Sequence, residues 1–210
     1  MKRFEIITEA DARRLQHGET VVLARGGHVT PLAQDTLRER RVTLVDEGRV
    51  SIDDASLAPP ADIRSVAIAS DHTGVKLRQG IVAFLRGRGL AVRDLGTDGA
   101  APVDYADVAA SVAVLVARGE VDGGVVIDGT GIGSAIAANK IRCVRAVMAT
   151  TETIARYSRE HNGANVLTLG ATLVSPDEAR AIVTTWLTTP MREPRHIRRL
   201  AKIRDLERRD

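Results

Sequence analysis

Two hydrophobic patterns alternate along the last two thirds of the chain. Short runs rich in β-branched residues, typical of buried strands, occur at 65–70, 91–95, 122–127, 144–149 and 165–169. Segments with helical spacing lie near 74–88, 104–118, 133–140, 151–161, 176–188 and 194–207. Strands that alternate with helices are the pattern of a parallel sheet with helices on both faces. We therefore predict an α/β fold for this part of the chain.

The first 48 residues form a separate pattern. Thr8 to Asp11 resembles a capping box, and the helix that it begins should end near Gly18. A strand at 20–24, a turn at Gly26-Gly27, a helix from Thr30-Pro31 to about 40 and a strand at 42–45 follow. We predict a small domain at 1–48 that is too small to bury a large core alone and that therefore docks on another surface. A linker at 49–63 and a main domain at 64–210 complete the chain.

Composition narrows the class of protein. The chain has 210 residues, a formal charge of +3 and one cysteine. No apolar run approaches the roughly 20 residues of a membrane-spanning helix, and the start of the chain does not resemble a signal peptide. The lone Cys143 excludes an internal disulfide and fits a reducing compartment. We expect a cytoplasmic globular protein.

Positive charge is concentrated at the carboxyl end, where eight arginines and lysines lie between 192 and 209. Nucleic-acid binding is disfavoured, because no aromatic residues are interleaved for base stacking and no known motif is present. Two interpretations stay open. The residues form a solvated helix face, or some of them bind a substrate phosphate.

The stretch from Val125 to Lys140 carries the strongest candidate chemistry. A buried strand ends at Asp128, a turn with glycines at 129, 131 and 133 follows, and a helix then begins. A turn of this kind directs backbone N–H groups and the positive end of a helix at one point, which favours an anion. A carboxylate there should repel a bound anion, so Asp128 is expected to have a function. The alternative is that Asp128 caps the turn.

Ligands of such sheets bind beyond the carboxyl ends of the strands. Asp71-His72 and Asp128 are predicted at those ends, whereas His161-Asn162 follows a helix and must reach the site by another route. A dinucleotide site is disfavoured, because Gly129-Thr-Gly131-Ile-Gly133 has the wrong final spacing and no acidic residue is clearly placed for a ribose.

Five motifs in order then suggest a family. They are Ala69-Ser-Asp71-His72-Thr-Gly74, Val103-Asp-Tyr105, Gly129-Thr-Gly131-Ile-Gly133 with Ala137-Ala-Asn139-Lys140, Ser158-Arg-Glu-His161-Asn162-Gly-Ala-Asn165, and Arg195-His196 with Arg199. The series resembles the type B ribose-5-phosphate isomerases and their galactose-6-phosphate isomerase relatives. The resemblance implies a three-layer α/β/α sandwich with a five-stranded parallel, Rossmann-like sheet, to which the small N-terminal α/β appendage is added. It also implies an aldose–ketose isomerase that uses neither a metal nor an organic cofactor and that forms dimers with active sites across the interface.

Roles for individual residues follow from the resemblance alone. Asp71 and His72 would contact the substrate hydroxyls and ring oxygen, and Tyr105 would line the pocket. Thr130 and His161 would assist ring opening, and Asn162 would hold a hydroxyl. The N–H groups from Gly129 through Gly131 and Ile132 to Gly133 would stabilise the enediolate. Arg195 and Arg199, with His196 between them, would bind the phosphate.

Two positions depart from the family pattern. Many members have a proton-abstracting cysteine where Asp128 stands, and a subgroup has a glutamate at the position of Ser134. Asp128 is therefore the predicted base, and desolvation is expected to raise its pKa. Members often carry a phosphate-binding arginine where this chain has Thr172, which leaves the substrate open among tetrose, pentose and hexose phosphates. A non-catalytic sugar-phosphate-binding or scaffold protein is the further alternative.

The N-terminal segment has a resemblance of its own. Ile7-Thr-Glu-Ala-Asp11 and Val29-Thr30-Pro31-Leu-Ala are similar to a short segment on some enzymes of bacterial microcompartments. This implies that residues 1–48 direct the protein to a microcompartment shell or to partner enzymes. The alternative is a docked accessory subdomain.

Overall fold

The computed structural model describes residues 2–46, 57–99 and 101–207, without the side chains of residues 25, 26, 45, 46 and 194. Backbone contacts divide the chain into two compact units. One comprises residues 1–58 together with 192–210, and the other comprises residues 59–191.

The second unit contains the predicted parallel sheet. Its elements are β4 (Ser65–Ser70), α3 (Val75–Gly87), β5 (Ala91–Asp94), α4 (Tyr105–Ala117), β6 (Gly123–Asp128), α5 (Ile132–Ala138), β7 (Ala146–Met148), α6 (Glu152–Glu160), β8 (Val166–Gly170) and α7 (Pro176–Thr188). All neighbouring strands are parallel, in the order β5-β4-β6-β8-β7. The predicted α/β fold class is confirmed, and the strand and helix bounds agree with the sequence to within three residues.

Two apolar layers cover the sheet. Alternate strand residues such as Ile68 and Ile127 face a cluster that includes Leu85 of α3 and Trp186 of α7. The intervening residues, such as Val126, face a second cluster that includes Val112 of α4. Because both faces are covered, β6 is buried along its whole length, as its continuous apolar run predicted.

The first unit contains a parallel three-stranded sheet in the order β1-β2-β3, formed by β1 (Lys2–Ile7), β2 (Thr20–Val29) and β3 (Thr43–Asp46). Its helices are α1 (Glu9–Arg14), α2 (Pro31–Glu39) and α8 (Pro194–Glu207). The capping box of Thr8 and Asp11 is formed as predicted. The unit has a small core of its own, built around Ile7, Leu15 and Leu37.

Three features of the first unit differ from the sequence prediction. Strand β1 was not predicted, and β2 continues through Gly26-Gly27 instead of turning there. Helix α8 falls in this unit, whereas the sequence assigned it to the domain at 64–210. Residues 49–56 of the predicted linker at 49–63 lie outside the described residues, which resume at residue 57. The domain boundaries at 1–48, 49–63 and 64–210 stay predictions.

Candidate active site

The sheet order places one crevice at the carboxyl ends of β4 and β6. Strand β4 lies between β5 and β6. The chain runs from β4 to β5 through α3 on one face of the sheet, and from β5 to β6 through α4 on the opposite face. Neighbouring helices diverge at such a switch point, and this is where open α/β sheets bind ligands. Asp71 follows β4 and Asp128 ends β6, and the Asp71 N–H donates to the Ile127 carbonyl at 3.1 Å. The two predicted acidic site residues are therefore neighbours.

Asp71 organises the turn between β4 and α3. Its Oδ1 accepts hydrogen bonds from the Thr73 N–H at 2.9 Å, the Thr73 hydroxyl at 2.6 Å and the Gly74 N–H at 3.2 Å. Gly74 is required here because a Cβ would lie 2.8 Å from the Ile127 carbonyl oxygen. These bonds fix a buried carboxylate and leave the adjacent His72 exposed at the crevice.

Tyr105 and His72 both lie at the crevice, but they belong to different parts of the chain. The Val103 N–H lies 3.4 Å from His72 Nδ1, which joins the loop before α4 to the loop after β4. Tyr105 opens α4, and a Cβ on Gly133 would lie 2.5 Å from its ring. The tyrosine ring therefore packs directly on the start of α5. The structure brings these predicted residues together with the glycine turn.

The carboxylate of Asp128 is buried, with 4% of the residue exposed, and accepts four hydrogen bonds. Oδ1 accepts from the N–H groups of Thr130, at 2.7 Å, and Gly131. Oδ2 accepts from the N–H of Ser134, at 3.0 Å, and from the Ser134 hydroxyl. A carboxylate has about four lone-pair sites, so all of them are occupied.

This arrangement resolves the conflict between Asp128 and the anion site. The anion at the beginning of α5 is the Asp128 side chain itself, which lies where the turn directs its N–H groups. Burial raises the pKa of Asp128, but hydrogen bonds from the Ser134 hydroxyl and from the N–H groups of Gly131, Ser134 and Thr130 outweigh it. The net pKa is below the ordinary value. The expectation that desolvation would leave Asp128 with a raised pKa is wrong, because it neglected the donors of the turn.

The same bonds limit the N–H groups available to a substrate. Those of Thr130 and Gly131 donate to Asp128, and that of Ile132 lies 3.4 Å from Thr130 Oγ1. Within the described residues, the N–H groups of Gly129 and Gly133 have no intramolecular acceptor. Gly131 has a φ of +76°, which favours glycine, and its added Cβ would meet the Leu169 backbone at 2.9 Å. The Thr130 side chain is exposed at the crevice.

His161 and Asn162 do not lie at this crevice in a single chain. Helix α6 starts at the carboxyl edge of the sheet after β7 and ends near the amino edge. Asn165 lies three residues beyond Asn162. Its backbone carbonyl accepts a hydrogen bond of 2.9 Å from the N–H of Gly124, at the beginning of β6. Because β6 has six residues, this edge lies about 17 Å from Asp128. The His161 ring stacks on Tyr157 with a centroid distance of 4.7 Å.

Arg195, His196 and Arg199 lie on α8 and therefore in the first unit. Arg195 forms an ion pair with Glu193 at 2.7 Å, and His196 is buried between the two arginines, 3.4 Å from Arg195 Nε and 3.3 Å from Arg199 Nη1. Both arginine side chains are exposed. Their role toward a phosphate stays a prediction.

Thr172 and Cys143 bear on the two departures from the family pattern. Thr172 donates its hydroxyl to the Gly129 carbonyl at 2.6 Å, which ties the loop after β8 to the glycine turn. Cys143 lies in the connection before β7, and its carbonyl accepts from the Asn165 side chain at the amino edge of the sheet. Within one chain, this thiol is at the wrong edge to replace a base at residue 128.

Sequence reasoning missed the role of Ser134. In the family pattern this position is notable only because some relatives have a glutamate there, yet Ser134 supplies two of the four hydrogen bonds to Asp128. A serine in the first turn of a helix, six residues after an aspartate that ends a strand, is the signal that could have identified it.

Within residues 2–46, 57–99 and 101–207, no group of three or more histidine, cysteine, aspartate or glutamate side chains is arranged to hold a metal ion. No helix in these same ranges is long and apolar enough to cross a membrane.

The fold and the site define an α/β protein with a polar ligand crevice at the switch point of a parallel sheet. A family model described as Ribose/Galactose Isomerase matches residues 66–203. Ribose-5-phosphate isomerase B of Escherichia coli is 42% identical over 147 residues, covering 70% of this chain and 99% of that protein. The chain therefore belongs to the ribose/galactose isomerase family, as the ordered motifs predicted. The first 65 residues lie outside the matched region.

Solved structures agree with this assignment. The ribose-5-phosphate isomerase B of Clostridium thermocellum has a TM-score of 0.67 and 46% identity, covering 69% of this chain and 97% of that one. The Mycoplasma genitalium protein, whose structure contains bound ribulose 5-phosphate, has a TM-score of 0.67 and 38% identity, covering 70% and 97%.

Proposed function

We propose that the protein is a cofactor-independent aldose–ketose isomerase that interconverts ribose 5-phosphate and ribulose 5-phosphate through an enediolate. The observation that supports this most is the convergence of Asp71, His72 and Tyr105 on the Asp128–Gly133 turn, at the switch point, in a member of this family. These residues come from three separate connections of the chain. They provide hydrogen-bonding groups for a polyol next to a carboxylate.

The reaction moves one proton between C1 and C2, and a base must accept that proton. Asp128 is the proposed base. Its pKa is low and its lone pairs are occupied, so one donor must withdraw before a proton can be accepted. The Ser134 hydroxyl is the donor that can rotate away without movement of the backbone. We therefore assign Ser134 as the positioning residue that controls access to Asp128 Oδ2.

The enediolate oxyanion requires donors that are not already used. The N–H groups of Gly129 and Gly133 meet this condition, because the described residues offer them no acceptor. Backbone donors that are fixed before the reaction stabilise developing charge without reorganisation. Thr130, exposed at the same turn, is proposed to assist ring opening.

A second copy of the chain is proposed to complete the site. His161 and Asn162 lie at the far edge of the sheet from Asp128, so a site that uses all of them draws on two protomers. A homodimer, or a dimer of dimers, satisfies this requirement with an isologous interface. Arg195, Arg199 and His196 are proposed to bind the substrate phosphate in the same assembly.

Residues 1–48 are proposed to direct the protein to a bacterial microcompartment shell or to partner enzymes, and otherwise the protein is proposed to be cytoplasmic. The support is the similarity of the N-terminal motifs and the separate small core of the first unit. Co-purification with shell proteins should be lost when residues 1–48 are deleted. Unchanged co-purification would contradict the sorting role.

A non-catalytic sugar-phosphate-binding protein is the second candidate function. The occupied lone pairs of Asp128 favour it, because a fully hydrogen-bonded carboxylate with a lowered pKa is a weak base. An isomerase of another tetrose, pentose or hexose phosphate is the alternative within the same chemistry, and Thr172 in place of an arginine favours it.

The test is turnover of ribose 5-phosphate by the wild type and by Asp128→Asn, alongside a panel of other aldose and ketose phosphates. Removal of a general base should lower kcat by about 10²–10⁴-fold, with substrate binding retained. Thermal unfolding is measured in parallel, because the asparagine amide would face the Ser134 N–H. Binding of a sugar phosphate without turnover of any member of the panel would favour the second candidate.

A further inference from the structure

A cavity of about 470 Å³ opens beside the crevice, between α3, the loop after β8 and the first turns of α7. Five apolar residues form most of its wall: Leu77, Ile81, Ala171, Val174 and Pro176. This volume is within the range of roughly 300–1,000 Å³ that is usual for small-molecule sites, whose walls are also mostly apolar. The cavity lies entirely within the second unit.

Two cationic side chains, Lys76 and Arg180, line the same cavity. No carboxylate among the described residues lies within ion-pair distance of the Lys76 ammonium. Arg180 forms an ion pair with the exposed Asp177, which is one turn earlier on α7. The lining residues therefore carry two positive charges, one of which is paired with Asp177 outside the lining. An anionic group on a ligand would be attracted there.

Gly80 also indicates that the cavity is kept open. It lies in the interior of α3 and lines the cavity, although glycine within a helix is destabilising relative to alanine. An added Cβ would meet no atom within 4 Å, so close packing does not require glycine at this position. The absence of a side chain there widens the cavity.

We propose that this cavity binds a small organic anion with an apolar body, such as an aryl or alkyl phosphate or carboxylate, at a site distinct from the glycine turn. The two cations would bind the anionic group, and the apolar wall would bind the hydrocarbon portion. A sugar phosphate fits this lining poorly, because its hydroxyl groups would lie against apolar side chains without partners.

The cavity is also connected to the reaction site. Thr73 lines the cavity and donates to Asp71 Oδ1 through its N–H and its hydroxyl. Ala171, on the opposite wall, donates its N–H to the Asp128 carbonyl at 2.8 Å. A ligand in the cavity would thus contact residues that hydrogen-bond to the Asp71 carboxylate and to the Asp128 backbone.

Isothermal titration of the full-length protein with phenyl phosphate tests the proposal. We expect one binding event that persists when ribose 5-phosphate is saturating, and weaker binding of inorganic phosphate and of the neutral benzyl alcohol. Lys76→Gln and Arg180→Gln should each weaken binding about tenfold, since each removes a charge-assisted contact. Gly80→Leu should abolish binding by filling the cavity, and Gly80→Ala should weaken it in a protein that keeps the fold.

Arg86→Gln is the matched control, because Arg86 is an exposed cation on the same helix and does not line the cavity. Its affinity for phenyl phosphate should equal that of the wild type. Equal weakening by Arg86→Gln and Lys76→Gln would overturn the proposal. Displacement of phenyl phosphate by ribose 5-phosphate, or no binding at millimolar concentration, would overturn it as well. Because the readout is binding, these outcomes are independent of turnover at Asp128.

Discussion

Ser134 donates two hydrogen bonds to one oxygen of Asp128, from its N–H at 3.0 Å and from its hydroxyl. Both residues are buried, and the serine is completely so. The pair determines how strong a base the carboxylate is. A substitution cannot remove the backbone donors, but it can remove the Ser134 hydroxyl. The effect of this hydroxyl on the proposed proton acceptor can therefore be tested directly.

Ser134→Ala should raise the pKa of Asp128 toward its ordinary value, because the hydroxyl is the strongest of the four donors that lower it. It should also lower the free energy of unfolding by about 1.5–3 kcal/mol, the range for a hydrogen bond to a charged group. Turnover should be retained or raised, since a lone pair becomes free. Carbon NMR titration of the carboxylate and thermal unfolding are the measurements.

Ser158→Ala is the control for that variant. Ser158 is also a buried serine, but its hydroxyl donates to the Ala155 carbonyl within α6 at 2.8 Å. It should change stability without affecting the pKa of Asp128. The same pKa in the wild type and in Ser134→Ala would contradict the role assigned to Ser134.

Gly133→Ala should displace the Tyr105 ring, because the new Cβ would lie 2.5 Å from a ring carbon. Misplacement of a substrate-positioning group by a fraction of an ångström lowers kcat/KM by roughly ten- to a hundredfold. Steady-state kinetics with the best sugar phosphate would measure the loss. Gly87→Ala, where a Cβ meets no atom within 4 Å, should leave kinetics unchanged. Equal kinetics in all three proteins would argue against a contribution of Tyr105.

Complementation tests whether two protomers share each site. Asp71→Ala and His161→Ala should each be nearly inactive. After the two variants are unfolded together and refolded as an equal mixture, half of the dimers are mixed, and each mixed dimer has one intact site. About a quarter of wild-type activity should return. No recovery, with mixed dimers verified by mass spectrometry, would mean that Asp71 and His161 act within one protomer or not together.

Arg78→Met should destabilise the second unit and loosen the loop that leads to Tyr105. The Arg78 guanidinium is buried and contacts Asp94, the Thr97 carbonyl and Asp98, the latter two at 2.6 Å. Its removal leaves these acceptors unpaired, at an estimated loss of about 2–3 kcal/mol. Urea unfolding would measure the loss, and KM for the sugar phosphate should rise. The exposed Arg86→Met should change neither quantity.

The parallel sheet could be predicted from sequence because its strands are continuous apolar runs between helical segments. Strand β1 could not, since four of its six residues are exposed and their polarity does not alternate. Gly26-Gly27 suggested a turn, but β2 runs through them. A Cβ on Gly27 would lie 2.5 Å from the Glu5 carbonyl oxygen, so glycine permits close approach of β1 at an irregular register.

The site was predictable in part. Asp71, His72, Tyr105 and the glycine turn meet because strand ends converge at a switch point, which the alternating pattern implies. His161 lies at the amino edge of the sheet, away from Asp128, because of the direction in which α6 runs. The sheet topology determines that direction. The pKa of Asp128 depends on which N–H groups donate to its two oxygens. The geometry of the turn decides this, and the sequence does not specify that geometry.

The pH dependence of kcat/KM for wild type and Asp128→Cys is the most direct test of the proton-transfer role of residue 128. The hydrogen bonds of the turn hold the pKa of the wild-type Asp128 carboxyl below its ordinary value, so this group should produce no acidic limb above about pH 5. With a cysteine base, kcat/KM should rise with pH as the thiol ionises. The midpoint of this limb should lie near pH 8.5, or below it because the N–H groups of the turn favour the thiolate. If residue 128 is the base, this new limb should appear in the cysteine variant. Superimposable profiles for two active proteins would contradict this role and place the base elsewhere.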